Sequence, residues 1–183
     1  MKDVSTTFAD LKEDQFNELL RLVRLYHREA RKCEKVKAYL PGCVMLGATL
    51  EAGLIAMMHC FAEEVAACES LPREKVAMKP LLKWKLAERL RIAKKLDWLP
   101  AGLQLDQAWD AKRAKIGDHA EVIRMLRNLV HPAAYLTEHT AKRVTSRHLS
   151  HAFEALDVAT LHLLRKLHTS IGAALEQKEV PVE

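Results

Sequence analysis

Aromatic residues, glycine and proline are all scarce in this chain of 183 residues. Phe, Trp and Tyr together make up 5% of the chain, and it has only six glycines and six prolines. β-Sandwiches need many aromatic strands and Gly/Pro turns, and disordered chains are poor in apolar residues, which here reach 49%. The composition therefore excludes both classes and predicts an all-α protein. The length fits a single domain over residues 1–183 with a core of its own.

Cysteine pairs and cofactor motifs are also missing. The four cysteines contain no C-x-x-C pair, and nothing at the N-terminus resembles a signal peptide. Buried thiols in a reducing cytoplasm are therefore expected. The chain has no P-loop, no G-x-G-x-x-G, no H-E-x-x-H and no G-x-S-x-G. No Glu is followed by His at the third position, as a di-iron bundle requires, and His148-x-x-His151 has no obvious third ligand. We therefore predict neither a cofactor nor a metal site.

The one long apolar run, residues 44–62, is interrupted by Glu51 and His59. A lone carboxylate in the middle of a membrane span costs about 2.5–3.5 kcal/mol, so a central helix of a bundle explains the run at least as well. We therefore predict no membrane partner. Inside a bundle, Glu51 should contact a basic or hydroxyl group, because an unpaired buried carboxylate is costly.

Helical periodicity runs through nearly the whole chain and predicts an up-and-down bundle of about five helices. The first helix should end at Pro41-Gly42, and Phe153, Leu156, Leu163, Leu164 and Leu167 should face inward from the last. The expected helices cover residues 8–40, 43–68, 80–96, 106–131 and 146–176. Residues 177–183 are expected to form a flexible tail, and no segment alternates with period two, so no sheet is expected.

The most informative stretch is 118–135, DHAEVIRMLRNLVHPAAY. On a helical wheel with about 100° per residue, Arg124, Arg127, Asn128 and His131 fall within an arc of roughly 100°. The apolar residues of the same stretch lie on the opposite side. Pro132 disfavours helical geometry at His131, so the helix should end or kink there.

Two guanidiniums and an imidazole on one ridge have a chemical meaning. Arginine binds a phosphate through two N–H groups and keeps its charge, and histidine exchanges a proton near neutral pH. Together they could position a phosphodiester and activate a neighbouring ribose hydroxyl without a metal. The alternative is that these residues form the solvated face of an amphipathic helix.

Arg124-x6-His131, with Arg127-Asn128 inside it and Pro132 after it, resembles the signature of the HEPN superfamily (higher eukaryotes and prokaryotes nucleotide-binding). That signature is Arg, four to six residues, then His, near the end of a bundle helix. The family usually has a polar residue directly after its Arg. Here Met125 follows Arg124, whereas Arg127 is followed by Asn128 but precedes His131 by only four positions. Either arginine could be the counterpart.

The resemblance covers most of the chain and implies an all-α bundle, often a homodimer whose paired motifs line a shared cleft. Many members are metal-independent endoribonucleases of toxin–antitoxin or phage-defence systems, with an antitoxin or a nucleotidyltransferase as partner. On that basis His131 would be the general acid/base and Arg124 the phosphate clamp, while Asn128 and Arg127 would orient RNA. Other members have lost catalysis, so the alternative is a non-catalytic dimerisation or interaction module.

The first helix carries a basic stripe beside its apolar one. Such a stripe could follow a phosphate backbone, although a solvated face partly neutralised by neighbouring glutamates is the simpler interpretation. The candidate nucleic-acid-binding residues are Arg21, Arg24, Arg28, Lys32 and Lys35. The net charge of +5 permits a polyanionic partner without requiring one.

Overall fold

The computed structural model describes residues 7–9, 11–69, 71–74, 77–99, 123–124, 127–128, 131 and 144–176. Within this part of the chain the protein is an all-α bundle, as the composition and periodicity predict. Its α-helices are α1 (Glu13–Lys35), α2 (Tyr39–Cys60), α3 (Ala62–Ala66), α4 (Leu86–Lys95) and α5 (Ser146–Glu176). Short 3-10 turns cover Thr7–Ala9 and Leu81–Lys83.

The break between the first two helices lies earlier than the sequence predicts. α1 begins at Glu13 and ends at Lys35, and Lys37 turns the chain with a φ of 59°. Pro41 is the third residue of α2 rather than a terminator. A proline fits there because first-turn N–H groups have no partner within the helix. The predicted stop at Pro41-Gly42 is therefore wrong.

Three other sequence predictions also need correction. The predicted helix 43–68 divides at Phe61 into α2 and α3, and the predicted helix 80–96 becomes a 3-10 turn followed by α4. A short antiparallel ribbon pairs β1 (Arg73–Glu74) with β2 (Ala77–Met78), so the expectation of no sheet is wrong. Strands of two residues are too short to give a period-two pattern.

The predicted bounds 146–176 of the last helix are confirmed by α5. Of the predicted helix 106–131, Ile123–Arg124 and Arg127–Asn128 have helical backbone and His131 forms a bend. The rest of that helix, and the predicted tail 177–183, lie outside the described residues.

α2 is the central helix and packs against α1, α4 and α5. Among the described residues it is the one helix long and apolar enough to cross a membrane, and 61% of its most apolar window is buried inside the protein. Burial on nearly all sides explains why its apolar residues show almost no face preference.

α5 buries one face and exposes another. Phe153, Leu156 and Leu163 are buried as predicted, but Leu164 is 56% exposed. The expectation that Leu164 points inward is wrong because it lies about 100° around the helix from Leu163. The outward face of α5 therefore carries large apolar side chains.

Candidate functional site

The described part of the 118–135 stretch has the polarity that the wheel predicts. Ile123 is fully buried, Arg124, Arg127 and Asn128 are half-buried, and His131 is exposed. The His131 N–H donates to the Asn128 carbonyl at 2.9 Å, which closes a turn of the 3-10 type. His131 itself is a bend, as expected for a residue before proline. The imidazole therefore lies in solvent just beyond the helical backbone at 127–128.

Arg127 is engaged with α2. Its Nη2 lies 2.7 Å from Oε2 of Glu51, and Oε1 of the same carboxylate accepts a hydrogen bond from Arg89 Nη1 at 2.6 Å. Arg89 is 1% exposed and also donates to the Leu81 carbonyl at 3.1 Å. The expectation that Glu51 contacts a basic group is confirmed, and two guanidiniums share its charge.

Gly47 explains how closely the Arg127 segment approaches α2. A Cβ built on Gly47 would lie 2.6 Å from the Arg127 Cβ and 2.9 Å from its Cδ. Gly47 is four residues before Glu51, so the two residues lie on one face of α2. The aliphatic stem of Arg127 packs over Gly47 while its guanidinium reaches Glu51. This pair of contacts attaches the motif segment to the central helix.

The engagement of Arg127 divides the predicted ridge into two parts. One part is the Arg127–Glu51–Arg89 network, which faces the bundle. The other part is the half-buried Arg124 and Asn128 with the exposed His131. The arrangement therefore presents the Arg124 guanidinium and the His131 imidazole on one segment. The ion pair between Arg127 and Glu51 attaches this segment to α2.

The basic stripe on α1 also has two kinds of members. Arg21 donates to both carboxylate oxygens of Glu18 at 2.6 and 2.7 Å, and Lys32 pairs with Glu29 at 2.8 Å. No acidic side chain of the described residues forms an ion pair with the remaining three members, Arg24, Arg28 and Lys35. These three fall within about 40° of one another on the helical wheel.

A shallow depression of about 400 Å³ lies along this stripe. It is lined by Asn17, Leu20, Arg21, Arg24, Leu25 and Arg28. Arginine side chains beside an exposed apolar residue offer both charge and a stacking surface to a polyanion. Two of these three residues, Arg24 and Arg28, line the depression.

The histidines predicted to be poor metal ligands have other roles. Nδ1 of His148 accepts a hydrogen bond from the Thr145 N–H at 3.1 Å, just before α5 begins. The His59 Nδ1–H donates to the Ala9 carbonyl at 2.8 Å. Within the described residues, no group of three His, Cys, Asp or Glu side chains is placed to hold a metal ion.

Sequence reasoning did not identify the partners of Glu51. Arg89 falls on the helical wheel between Ile92 and Ala93, inside the apolar arc of α4. That position is the signal that could have identified a buried arginine. Comparison with protein-family models, curated protein sequences and solved structures found no match.

Proposed function

We propose that this protein is a HEPN-like RNA-binding effector and a candidate metal-independent endoribonuclease. The observation that carries the proposal is the exposed imidazole of His131, preceded by Arg124 on a segment that Arg127 attaches to Glu51. Arg124 is taken as the counterpart of the family's arginine because the spacing Arg124-x6-His131 matches the family signature. Arg127 then acts as a positioning residue: by binding Glu51 of α2, it holds the segment that carries Arg124 and His131.

The reaction that suits these groups is attack of a ribose 2′-hydroxyl on the adjacent phosphodiester. His131 accepts the hydroxyl proton as the 2′-oxygen–phosphorus bond forms, and the phosphorus–5′-oxygen bond breaks as the leaving oxygen takes up a proton. Arg124 neutralises the charge that builds on the phosphoryl oxygens. Asn128 is placed to orient the ribose or a base through its amide. The products are a cyclic phosphate and a 5′-hydroxyl.

The α1 stripe supplies affinity in this proposal. Arg24, Arg28 and Lys35, which pair with no acidic side chain among the described residues, share one arc of α1 and can follow a phosphate backbone, each contact adding salt-sensitive affinity. The proposed biological setting is the one that the resemblance implies, a toxin–antitoxin or phage-defence system in the cytoplasm. The proposed partners are a second copy of the chain, and an antitoxin or nucleotidyltransferase.

A non-catalytic interaction module is the second candidate, and one observation favours it. The Arg127–Glu51–Arg89 network ties three separate chain segments together, which is what a purely structural arginine would do. If Arg124 is equally structural, the motif would stabilise the bundle and present a surface to a partner.

Incubation of the purified protein with RNA in EDTA separates the two candidates. We expect cleavage that survives chelation and leaves cyclic phosphate ends. His131→Ala should abolish it, and Arg124→Ala should lower it by roughly 100-fold or more, the scale of a lost transition-state contact. His162→Ala is the matched control and should cleave normally. Intact RNA with the well-folded wild-type protein would favour the interaction module.

RNA binding provides a second test with variants of equal charge. Arg24→Gln/Arg28→Gln removes two unpaired cations, and Arg21→Gln/Lys32→Gln removes two that are already paired with glutamates. We expect the first pair to reduce the slope of log K against log salt by about 1.4 to 2 and the second pair by less. Equal effects would show that the α1 stripe contributes only its net charge.

A further inference from the structure

The outward face of α5 carries a row of exposed residues at alternating steps of three and four. We call this row the α5 seam, and all six of its members are exposed. The members are Glu154, Asp157, Leu161, Leu164, His168 and Ile171. This spacing matches the a and d positions of two and a half heptads, and it extends over about 26 Å of helix.

The C-terminal half of the seam is apolar and open. Leu161, Leu164 and Ile171 are 48%, 56% and 53% exposed. They line a surface depression of about 480 Å³ together with Arg165, Leu167 and His168. Three large apolar side chains on one helix face, at heptad spacing, are what a partner helix packs against.

The charges along α5 indicate which partner helix can pack on the seam and in which direction it runs. The seam is acidic at its N-terminal half, with Glu154 and Asp157, and the C-terminal half carries Arg165 and His168. A second copy of α5 in parallel would place acid against acid. A second copy in the antiparallel direction, related by a two-fold axis at Leu161, places Glu154 opposite His168 and Asp157 opposite Arg165.

We propose that the α5 seam is a self-association surface, on which two copies of this chain pair their α5 helices antiparallel. Leu161 and Leu164 of the two copies form the apolar centre of the contact. No member of the seam belongs to the candidate site or to the α1 stripe. The inference therefore stands whether or not the protein cleaves RNA.

Sedimentation equilibrium tests the apolar half of the seam. We expect the wild-type chain to be a dimer. Leu161→Asp and Leu164→Asp should each raise the dimer dissociation constant roughly tenfold or more, because each places a carboxylate at the centre of the contact. Leu82→Asp is the matched control, because Leu82 is similarly exposed at 54% but lies far along the chain in a 3-10 turn. It should leave the dimer intact.

A charge exchange tests the direction of pairing. Glu154→Lys/Asp157→Lys should weaken the dimer, and so should Arg165→Glu/His168→Glu. The variant with all four changes should recover most of the affinity, because antiparallel copies again face opposite charges. A monomeric wild-type chain, a dimer insensitive to Leu161→Asp, or a four-fold variant weaker than either pair would each overturn the proposal. Circular dichroism of every variant shows whether the bundle remains folded.

Discussion

At the scale of single residues, Glu51 links the core of the bundle to the candidate site. Its carboxylate lies on an otherwise apolar helix and is bound by Arg89 on one oxygen and Arg127 on the other. Burial lowers the pKa of Arg89, and the nearby Glu51 charge opposes that shift. The guanidinium stays ionised at any working pH. Arg89 therefore needs the negative charge of Glu51 far more than the partly exposed Arg127 does.

This difference between Arg89 and Arg127 predicts which substitutions will destabilise the fold most. Glu51→Leu should destabilise the fold by about 3–5 kcal/mol, because it leaves the buried Arg89 without its partner. Arg127→Met should cost less, since its side chain is 33% exposed and water can solvate the freed Glu51 oxygen. The double variant Glu51→Leu/Arg89→Met should cost clearly less than the two single variants added together. Urea unfolding monitored by circular dichroism measures the free energy of unfolding of the wild type, the single variants Glu51→Leu, Arg127→Met and Arg89→Met, and the double variant. Strictly additive losses of stability would contradict the pairing of Glu51 with Arg89.

At the scale of elements, two glycines of α2 give a direct test of how the motif segment packs. A methyl group at Gly47 would overlap the Arg127 stem, whereas a methyl group at Gly53 meets nothing within 4 Å. Gly47→Ala should therefore destabilise the protein by about 1–3 kcal/mol through overpacking. Gly53→Ala should stabilise it by about 0.5–1 kcal/mol, because alanine is the better helix former.

The same pair of variants connects packing with function. If Arg127 positions His131 and Arg124 as proposed, Gly47→Ala should also lower RNA cleavage by more than its loss of folded protein explains. Gly53→Ala should cleave normally. Urea unfolding measures the stability of each variant. The RNA cleavage rate is measured under conditions in which each variant remains folded. A harmless Gly47→Ala would mean that α2 does not approach the motif segment at Gly47, and a destabilising Gly53→Ala would mean that position 53 is not open to a methyl group.

Helix identity was easier to predict from the sequence than helix boundaries. α5 was predicted with correct bounds because its apolar positions recur steadily and no proline interrupts them. Pro41 misled the prediction because the same residue is tolerated in a first turn and disfavoured in a last one. The interruption at Phe61 carries no Gly or Pro signal. The sequence predicts that Glu51 contacts a basic or hydroxyl group. Which residue supplies that group depends on how α4 packs against α2.

At the scale of the whole molecule, the helices meet around the start of α2. A Cβ on Gly42 would lie 2.8 Å from Leu149 of α5 and 3.3 Å from Cys33 of α1. The adjacent Cys43 is fully buried in the same core. Its thiol is shielded from solvent in the folded bundle. Cys43 therefore reports on the assembly of the bundle rather than on a local loop.

This location predicts how the stability of the bundle depends on pH. Burial raises the pKa of the Cys43 thiol from 9.0 to about 12. Below pH 9 the thiol is protonated in both the folded and the unfolded chain, so the stabilisation from this shift is fully present. Between about pH 9 and 12 the unfolded chain loses that proton while the folded chain keeps it, so wild-type stability should fall relative to Cys43→Ala by up to about 1.4 kcal/mol per pH unit. Urea unfolding of both proteins at matched pH values measures this difference, and Cys68, which is only half-buried, provides the control variant Cys68→Ala. A stability difference between wild type and Cys43→Ala that stays constant up to pH 11 would show that the α1–α2–α5 junction opens to water in the native protein.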